Sequence, residues 1–222
     1  KTIVKEWLYQ LLHESYNIVR NPKSYNSQIG VPLSVWQINN QHTLGIFEAG
    51  ISQPDEMQRL EKIIEPTIGI FTNIGEAHSE GFLNVRQKIN EKLKLFVNTK
   101  VLIYCADNPD VNEAIATFST NVRSGDAFTL FSWSKKNQAT LQIVAIEKNT
   151  DKTSVTASYQ DTVINCVIPF VDDASIENAI NCWCTLLHLQ VSNQEIAERM
   201  LLLQNVEMRL ELKQGINNLN SN

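Results

Sequence analysis

The sequence has no apolar stretch close to the roughly 18 residues that a membrane-spanning helix requires, so we predict no membrane span. It has no long basic run, and its net charge is −5, so we expect no nucleic-acid partner. Cysteine is scarce, with four residues and one closely spaced pair, Cys182 and Cys184. Because a zinc site commonly needs a second pair, we expect buried thiols in a reducing compartment.

What the sequence does contain is enough apolar residues for a buried core, 43% of 222 residues, and a regular alternation of element types. Helical spacing and strand-like apolar runs alternate over the first 120 residues. The predicted helices are 2–14, 32–39, 55–64, 84–96 and 109–118, and the predicted strands are 16–20, 42–49, 67–73 and 101–105. The alternation predicts an α/β fold with a doubly wound, mostly parallel sheet, in which strand 42–49 is buried.

The pattern changes after residue 140. Three short β-rich segments, 141–146, 154–159 and 162–170, are separated by polar turns and predict a small antiparallel meander. Two helices are predicted after it, at 175–189 and 193–203. The polar tail 217–222 is expected to be frayed or a terminal extension.

Five residues carry candidate chemistry. Lys1 and Thr2 would end a phosphate-binding loop, although the strand and the glycines that should precede them are absent from this sequence. Glu48 ends a predicted strand, and His78 follows another, which is where α/β enzymes place metal ligands. Taken singly, each has a simpler interpretation as a capping, solvated or surface residue. Lys92, on a predicted helix, is by itself most simply a solvated lysine.

Six segments together resemble the Mur ligase family, the ATP-dependent enzymes that add amino acids to the peptidoglycan precursor. They occur in the family's order and span almost the whole chain. The segments are Tyr25-Asn-Ser-Gln-Ile-Gly-Val-Pro-Leu-Ser34, Phe47-Glu-Ala-Gly50, Asn73-Ile-Gly-Glu-Ala-His78 with Lys92, Ala106-Asp-Asn108, Glu177-Asn178-Ala179 and Met208-Arg-Leu-Glu211. The resemblance implies the phosphate-loop fold of the family's central domain.

The resemblance also implies roles at the phosphate end of the site. Lys1 and Thr2 match the end of the Gly-Lys-Thr loop, where the lysine contacts ATP phosphates and the threonine binds Mg²⁺. Glu48 matches the acid at the first of two Mg²⁺ ions, and His78 matches the ligand of the second. Lys92 matches a carbamylated lysine, whose carbamate ligates metal. The implied catalytic residues are Lys1, His78 and Lys92.

Further matches concern the substrates. Asn26 matches an asparagine near the phosphates and the acceptor substrate, Asn108 and Asn178 match positions at the ribose and adenine, and Arg209 matches an arginine near the nucleotide. The sequence departs from the family where a His-Asn pair is replaced by Ala174-Ser175, which leaves adenine contacts from that segment open. It also has Lys23-Ser24 in place of a Gly-Asn pair.

The family enzymes have three domains, and residues 1–212 match the central ATP-binding domain without its first strand and phosphate-loop glycines. Residues 213–222 are expected to begin a linker or form a tail. The family's N- and C-terminal domains are not in this sequence, and we expect them to act as its partners. The resemblance implies a cytoplasmic bacterial enzyme, with fusion to an alanine racemase as one arrangement.

The implied reaction joins D-Ala-D-Ala to UDP-MurNAc-tripeptide through an acyl phosphate. One alternative is another Mur or folylpolyglutamate-type ligase, because the domains that select substrates are absent. A second alternative is a non-catalytic fragment or docking module, because ATP loses its main anchor without the loop glycines. We expect the isolated chain to be inactive in either case.

Overall fold

The computed structural model describes residues 1–23, 25–74, 81–121 and 128–206. The helices in these ranges are α1 (Thr2–Leu12), α2 (Gly30–Val35), α3 (Glu56–Ile64), α4 (Val85–Leu93), α5 (Pro109–Asn121), α6 (Asp173–His188) and α7 (Asn193–Leu201). The strands are β1 (Ile18–Arg20), β2 (Leu44–Ile46), β3 (Ile68–Phe71), β4 (Val101–Cys105), β5 (Thr129–Ser134), β6 (Leu141–Lys148), β7 (Thr153–Tyr159) and β8 (Thr162–Ile168). This order confirms the predicted α/β alternation. Among the helices of these ranges, none is long and apolar enough to cross a membrane.

The larger sheet has six strands in the order β3-β4-β5-β6-β7-β8. Strands β3, β4 and β5 are parallel, and β6 joins β5 through a short parallel pairing of Trp133 with Leu141 and Ser134 with Gln142. Strands β6, β7 and β8 are antiparallel, which confirms the predicted meander. The meander therefore extends the main sheet. Strand β5, which the sequence analysis did not predict, is the element that connects the two parts.

The side chains of β4 show that helices cover both faces of this sheet. Val101 and Ile103 are buried in a core cluster that includes residues of α1 and α6. Leu102 and Tyr104 point the other way, into a cluster with residues of α4 and α5. A parallel strand buried on both faces is expected to be apolar throughout. The doubly wound arrangement is thus confirmed.

Strands β1 and β2 form a separate, two-stranded parallel sheet. The prediction of a buried strand over 42–49 is wrong in extent and in burial: β2 has three residues, Leu44 and Ile46 are half-buried, and Gly45 is exposed. The physical reason is that β2 pairs only with β1 in the described ranges. Its other side borders a cavity that β3 also borders, with Ile68 and Ile70 in the wall.

The C-terminal half of helix α1 is attached to the end of α7 and to the segment that follows it. The Trp7 Nε1–H group donates to the Gln204 carbonyl oxygen over 2.9 Å, and the Gln204 N–H group donates to the Gln10 Oε1 atom over 2.9 Å. Arg199 Nη1 donates to the Leu11 carbonyl oxygen over 2.8 Å. The Trp7 ring also stacks on Phe170, with ring centroids 4.7 Å apart. Helix α1 and residues 199–204 therefore form one packed unit.

Candidate functional site

The Glu48 carboxylate lies two residues after β2 and is held by two other segments of the chain. It is buried, with 6% of its surface exposed. The Thr2 hydroxyl, at the first residue of α1, donates to Glu48 Oε2 over 2.8 Å. The Asn26 Nδ2 group donates to Glu48 Oε1 over 2.7 Å. Both carboxylate oxygens therefore have partners, and these partners are two of the residues predicted for the site.

Lys1 joins this group through its side chain. Its Nζ atom donates to the carbonyl oxygen of Ala49 over 3.2 Å, next to Glu48 in sequence. Burial lowers the pKa of the Lys1 ammonium, Glu48 acts to raise it, and Lys88 lowers it further. Lys1, Thr2, Asn26 and Glu48 are thus brought together around the start of α1, where helical N–H groups favour an anion.

Lys92, in the last turn of α4, lines the same cavity as Lys1 and Glu48. This cavity has a volume of about 180 Å³. The Lys92 Nζ atom lies 5.8 Å from the centroid of the Phe71 ring. Burial, with added repulsion from Lys1 and Lys88, lowers the pKa of Lys92 to about 8. About a tenth of this amine is therefore neutral, and so nucleophilic, at pH 7, far more than for an ordinary lysine.

A second cavity, of about 420 Å³, lies at the ends of β3, β4 and β5. It is lined by Asn73, Asp107, Asn108, Trp133, Lys135, Lys136, Glu177, Asn178 and Asn181, among others. Asn108 and Asn178 therefore line one cavity. The Asn108 Oδ1 atom accepts a hydrogen bond from the Val111 N–H group over 3.2 Å, so this side chain also caps the N-terminus of α5.

Asp107 and Lys135 are residues of this cavity that the sequence analysis did not select. Asp107 Oδ1 accepts a hydrogen bond of 2.5 Å from the Ser134 hydroxyl, and Oδ2 accepts one of 3.0 Å from the Lys135 N–H group. Lys135 Nζ forms an ion pair of 2.8 Å with Glu177 Oε1. Burial lowers the pKa of Lys135, but Glu177 and Asp107 act to raise it and the net shift is upward. An acid two residues after a predicted strand, in Ala106-Asp-Asn108, was the available signal.

The two cavities meet at the end of β3, since Phe71 and Thr72 line both. Cys105 lines the second cavity and is only partly buried, and burial raises its pKa to about 11. The other three cysteines are buried, as expected. Phe71 and Thr72 thus form a wall that the cavity at Glu48 shares with the cavity at Asn108 and Asn178.

Two predicted site residues, His78 and Arg209, lie outside the described residues. Of the three predicted side chains at positions 48, 78 and 92, the structure brings Glu48 and Lys92 to one cavity. Within the described ranges, no group of three or more His, Cys, Asp or Glu residues could hold a metal ion. Thr2 and Glu48 supply hard oxygen atoms of the kind that Mg²⁺ binds.

Comparison with known sequences matches residues 1–186 to the Mur ligase middle domain. A UDP-N-acetylmuramoyl-tripeptide--D-alanyl-D-alanine ligase of Treponema pallidum is 40% identical over 94 residues, which cover 42% of this chain and 20% of the relative. The enzyme of the same name from Buchnera aphidicola subsp. Acyrthosiphon pisum is 26% identical over 211 residues, covering 95% of this chain and 46% of the relative. The chain thus spans at most about half the length of these relatives.

Solved structures show the same fold. A crystal structure of MurF from Acinetobacter baumannii superposes with a TM-score of 0.82 at 19% identity, covering 97% of this chain and 46% of that one. MurF ligase from Thermotoga maritima, in complex with ADP, superposes with a TM-score of 0.75 at 19% identity, covering 92% and 46%.

Proposed function

Because the chain belongs to the Mur ligase family through its middle domain, we propose that it is the ATP-binding part of a longer ligase that joins D-Ala-D-Ala to UDP-MurNAc-tripeptide. The observation that carries this proposal is the convergence of Lys1, Thr2, Asn26 and Glu48 on one cavity edge that Lys92 also borders. The relatives that bear the same enzyme name support the choice of substrates. We propose that the ligase acts in the bacterial cytoplasm, where these substrates would be available.

The proposed reaction has two steps. The terminal carboxylate of the tripeptide attacks the γ-phosphorus of ATP, ADP leaves, and an acyl phosphate forms. The amine of D-Ala-D-Ala then attacks the acyl carbon, phosphate leaves, and the new amide loses a proton. Phosphoryl transfer depends mainly on positioning and on neutralising the charge of the phosphoryl oxygens.

The residues of this chain would divide that work. Lys1 and the N-terminus of α1 would hold the phosphates, and Asn26 would lie between the phosphates and the acceptor. Asn108 and Asn178 would contact ribose and adenine in the second cavity, with Arg209 near the nucleotide. The ADP complex of the Thermotoga maritima protein supports nucleotide use by this fold.

We propose two Mg²⁺ ions at the phosphate end, because Thr2 and Glu48 offer the hard oxygen atoms that this cation binds. Thr2 and Glu48 would hold one ion, and His78 and Lys92 the other. When bound, the ions would supply charge stabilisation to the phosphoryl oxygens. Lys92 fits this role as a carbamate, because an amine with a pKa of about 8 is neutral often enough to react with CO₂, whereas its ammonium form would repel a cation.

For the domain organisation, we propose that residues 1–212 form the central domain and that 213–222 begin a linker to a further domain. Strands β2 and β3 each have a side facing the first cavity that is unpaired within the described ranges. Helix α1 begins beside the end of β2. A parallel strand preceding Lys1, followed by a phosphate loop, would pair with both strands and join the two sheets.

The test uses the complete ligase and its amino-acid-dependent phosphate release. We expect His78→Ala and Lys92→Ala each to lower turnover by about 10²- to 10³-fold, because one charge-stabilising contact is worth roughly 3–4 kcal/mol. The matched controls His13→Ala and Lys100→Ala replace exposed residues and should leave turnover unchanged. Near-wild-type turnover of either site variant at saturating Mg²⁺ and ATP would refute the assignment.

Two further measurements separate the alternatives. Removal of bicarbonate and CO₂ should reduce the activity of the complete ligase, and an indifferent enzyme would show that Lys92 acts as an ordinary amine. Calorimetry with Mg-ATP should detect binding by the complete ligase and little binding by residues 1–222 alone. Absence of binding and of ligation by the complete protein would favour a docking module.

A further inference from the structure

Asn21 makes the most complete set of hydrogen bonds near the site, and no role has been assigned to it. It follows β1 directly, and its surface is fully buried, at 0% exposure. Its Oδ1 atom accepts from the Glu48 N–H group over 2.9 Å. Its Nδ2 group donates to the Glu48 carbonyl oxygen over 3.1 Å and to the Tyr25 carbonyl oxygen over 2.7 Å.

These contacts continue the hydrogen bonding between β1 and β2 beyond their last paired residues. The backbone register of the two strands ends at Arg20 and Ile46. Two residues after the end of β2, the Asn21 side chain bonds both backbone polar atoms of Glu48, as a neighbouring strand would. Only a side-chain amide offers an acceptor and two donors in one planar group. A carboxylate at position 21 would face two carbonyl oxygens without a proton to donate.

The Asn21 side-chain amide also positions Asn26, the other side chain that donates to the Glu48 carboxylate besides Thr2. Tyr25, whose carbonyl oxygen accepts from Asn21, immediately precedes Asn26, and Asn26 donates to Glu48 Oε1. The backbone of Asn21 is itself fixed, since the buried Lys5 Nζ atom donates to the Asn21 carbonyl oxygen over 2.6 Å and to that of Lys23. A rigid frame therefore runs from α1 through Asn21 to the carboxylate.

We propose that Asn21 is a positioning residue that sets the location of the Glu48 carboxylate and of its Asn26 partner. This inference rests on the proposed role of Glu48 as a Mg²⁺ ligand. Asn21 touches no reacting atom and would act only through the backbone of Glu48 and the loop at Tyr25. Its loss would displace a charged ligand by a fraction of an ångström to an ångström, a change large enough to impair a preorganised site.

The first test measures metal dependence in the complete ligase. We expect Asn21→Ala to raise the Mg²⁺ concentration for half-maximal activity by about fivefold or more and to lower kcat by a similar factor, with the KM for D-Ala-D-Ala unchanged. Asn21→Asp, which keeps the volume, should do the same if the alanine variant fails to fold. The control Asn17→Ala removes a comparable bond, 3.0 Å from Nδ2 to the Gln41 carbonyl oxygen, at the opposite end of the same strand pair. Asn17→Ala should change neither the Mg²⁺ concentration for half-maximal activity nor kcat.

The second test is independent of activity. Amide hydrogen exchange of residues 44–50 in the 222-residue chain should become at least about fivefold faster in Asn21→Ala, because the Glu48 N–H group loses its acceptor. Asn17→Ala should leave the exchange of the Glu48 amide unchanged. Unchanged exchange in Asn21→Ala would overturn the inference.

A Glu48→Gln background separates this inference from the proposed function. If Asn21 acts through Glu48, adding Asn21→Ala to Glu48→Gln should give no further change in the Mg²⁺ requirement. If Glu48→Gln alters the requirement and Asn21→Ala alone does not, the positioning role is wrong. If Glu48→Gln leaves the requirement unchanged, the metal role of Glu48 is wrong, and the exchange measurement still decides whether Asn21 fixes that residue.

Discussion

Replacement of Lys92 by Met should stabilise the chain, although it removes the residue that we assign to catalysis. The native pKa of Lys92 is about 8, against an ordinary value of 10.5. Each pH unit of difference corresponds to about 1.4 kcal/mol, so a buried ammonium here costs about 3 kcal/mol of folding free energy. The apolar stem of Met occupies similar space without the charge.

The sign of the pH dependence follows from the lowered pKa. Below pH 8 the lysine is protonated in both the folded and the unfolded chain, and the full cost is present. Above pH 10.5 it is neutral in both states, and the cost is gone. We therefore expect Lys92→Met to gain about 3 kcal/mol at pH 7, a little under half of that at pH 9.5, and almost nothing well above pH 10.5.

Urea unfolding of the isolated chain at several pH values measures this gain, in CO₂-free buffer with a chelator so that neither carbamate nor metal contributes. Lys94→Met is the matched control on the adjoining turn. Hydrogen bonds to Glu91 and Asp55 raise the pKa of Lys94, so its replacement should lower stability at neutral pH. A gain for Lys92→Met that is the same at pH 7 and pH 10, or a loss at pH 7, would refute the reasoning.

Two further predictions concern the supports of the site. Gly50→Ala should lower the free energy of unfolding by about 1–3 kcal/mol in urea titrations, because the added Cβ would lie 2.9 Å from Asn26 Cγ and 3.0 Å from the Asn26 carbonyl oxygen; a change below about 0.5 kcal/mol would contradict this. Asp107→Ala should weaken ADP binding to the complete ligase by about tenfold in calorimetry, because Ser134 and Lys135 lose the carboxylate that fixes their turn. An unchanged dissociation constant would mean that the turn is held without Asp107.

Periodicity alone predicted most of the helices and the meander, because their apolar residues repeat clearly along the chain. It missed β5, whose residues Thr129–Ser134 mix polar and aromatic side chains and follow a gap in the pattern. It overestimated β2, because an apolar run indicates burial but does not show whether a neighbouring strand is present to provide it.

The candidate site was accessible from sequence only where residue types are distinctive. Glu48 and Lys92 were selected because their segments resemble a known family, and the structure brings both to one cavity. Asp107 had a signal in the sequence, since it closely follows a predicted strand, but its bond to the Ser134 hydroxyl is formed only on folding. Asn21 could not have been selected, because its role consists of hydrogen bonds to backbone groups brought close by folding. An asparagine after a short strand has many simpler interpretations, and only the three-dimensional contacts distinguish among them.

The attachment of α1 to Gln204 has a mechanical consequence. The helix begins at Thr2, whose hydroxyl touches Glu48, and its far half is hydrogen-bonded to Gln204 and Arg199. A displacement of the backbone at Gln204 would be transmitted along helix α1, from Trp7 and Gln10 to Thr2 beside Glu48. Motion of a domain attached to the chain after Gln204 could therefore change the position of Thr2, even if that domain makes no contact with the cavity.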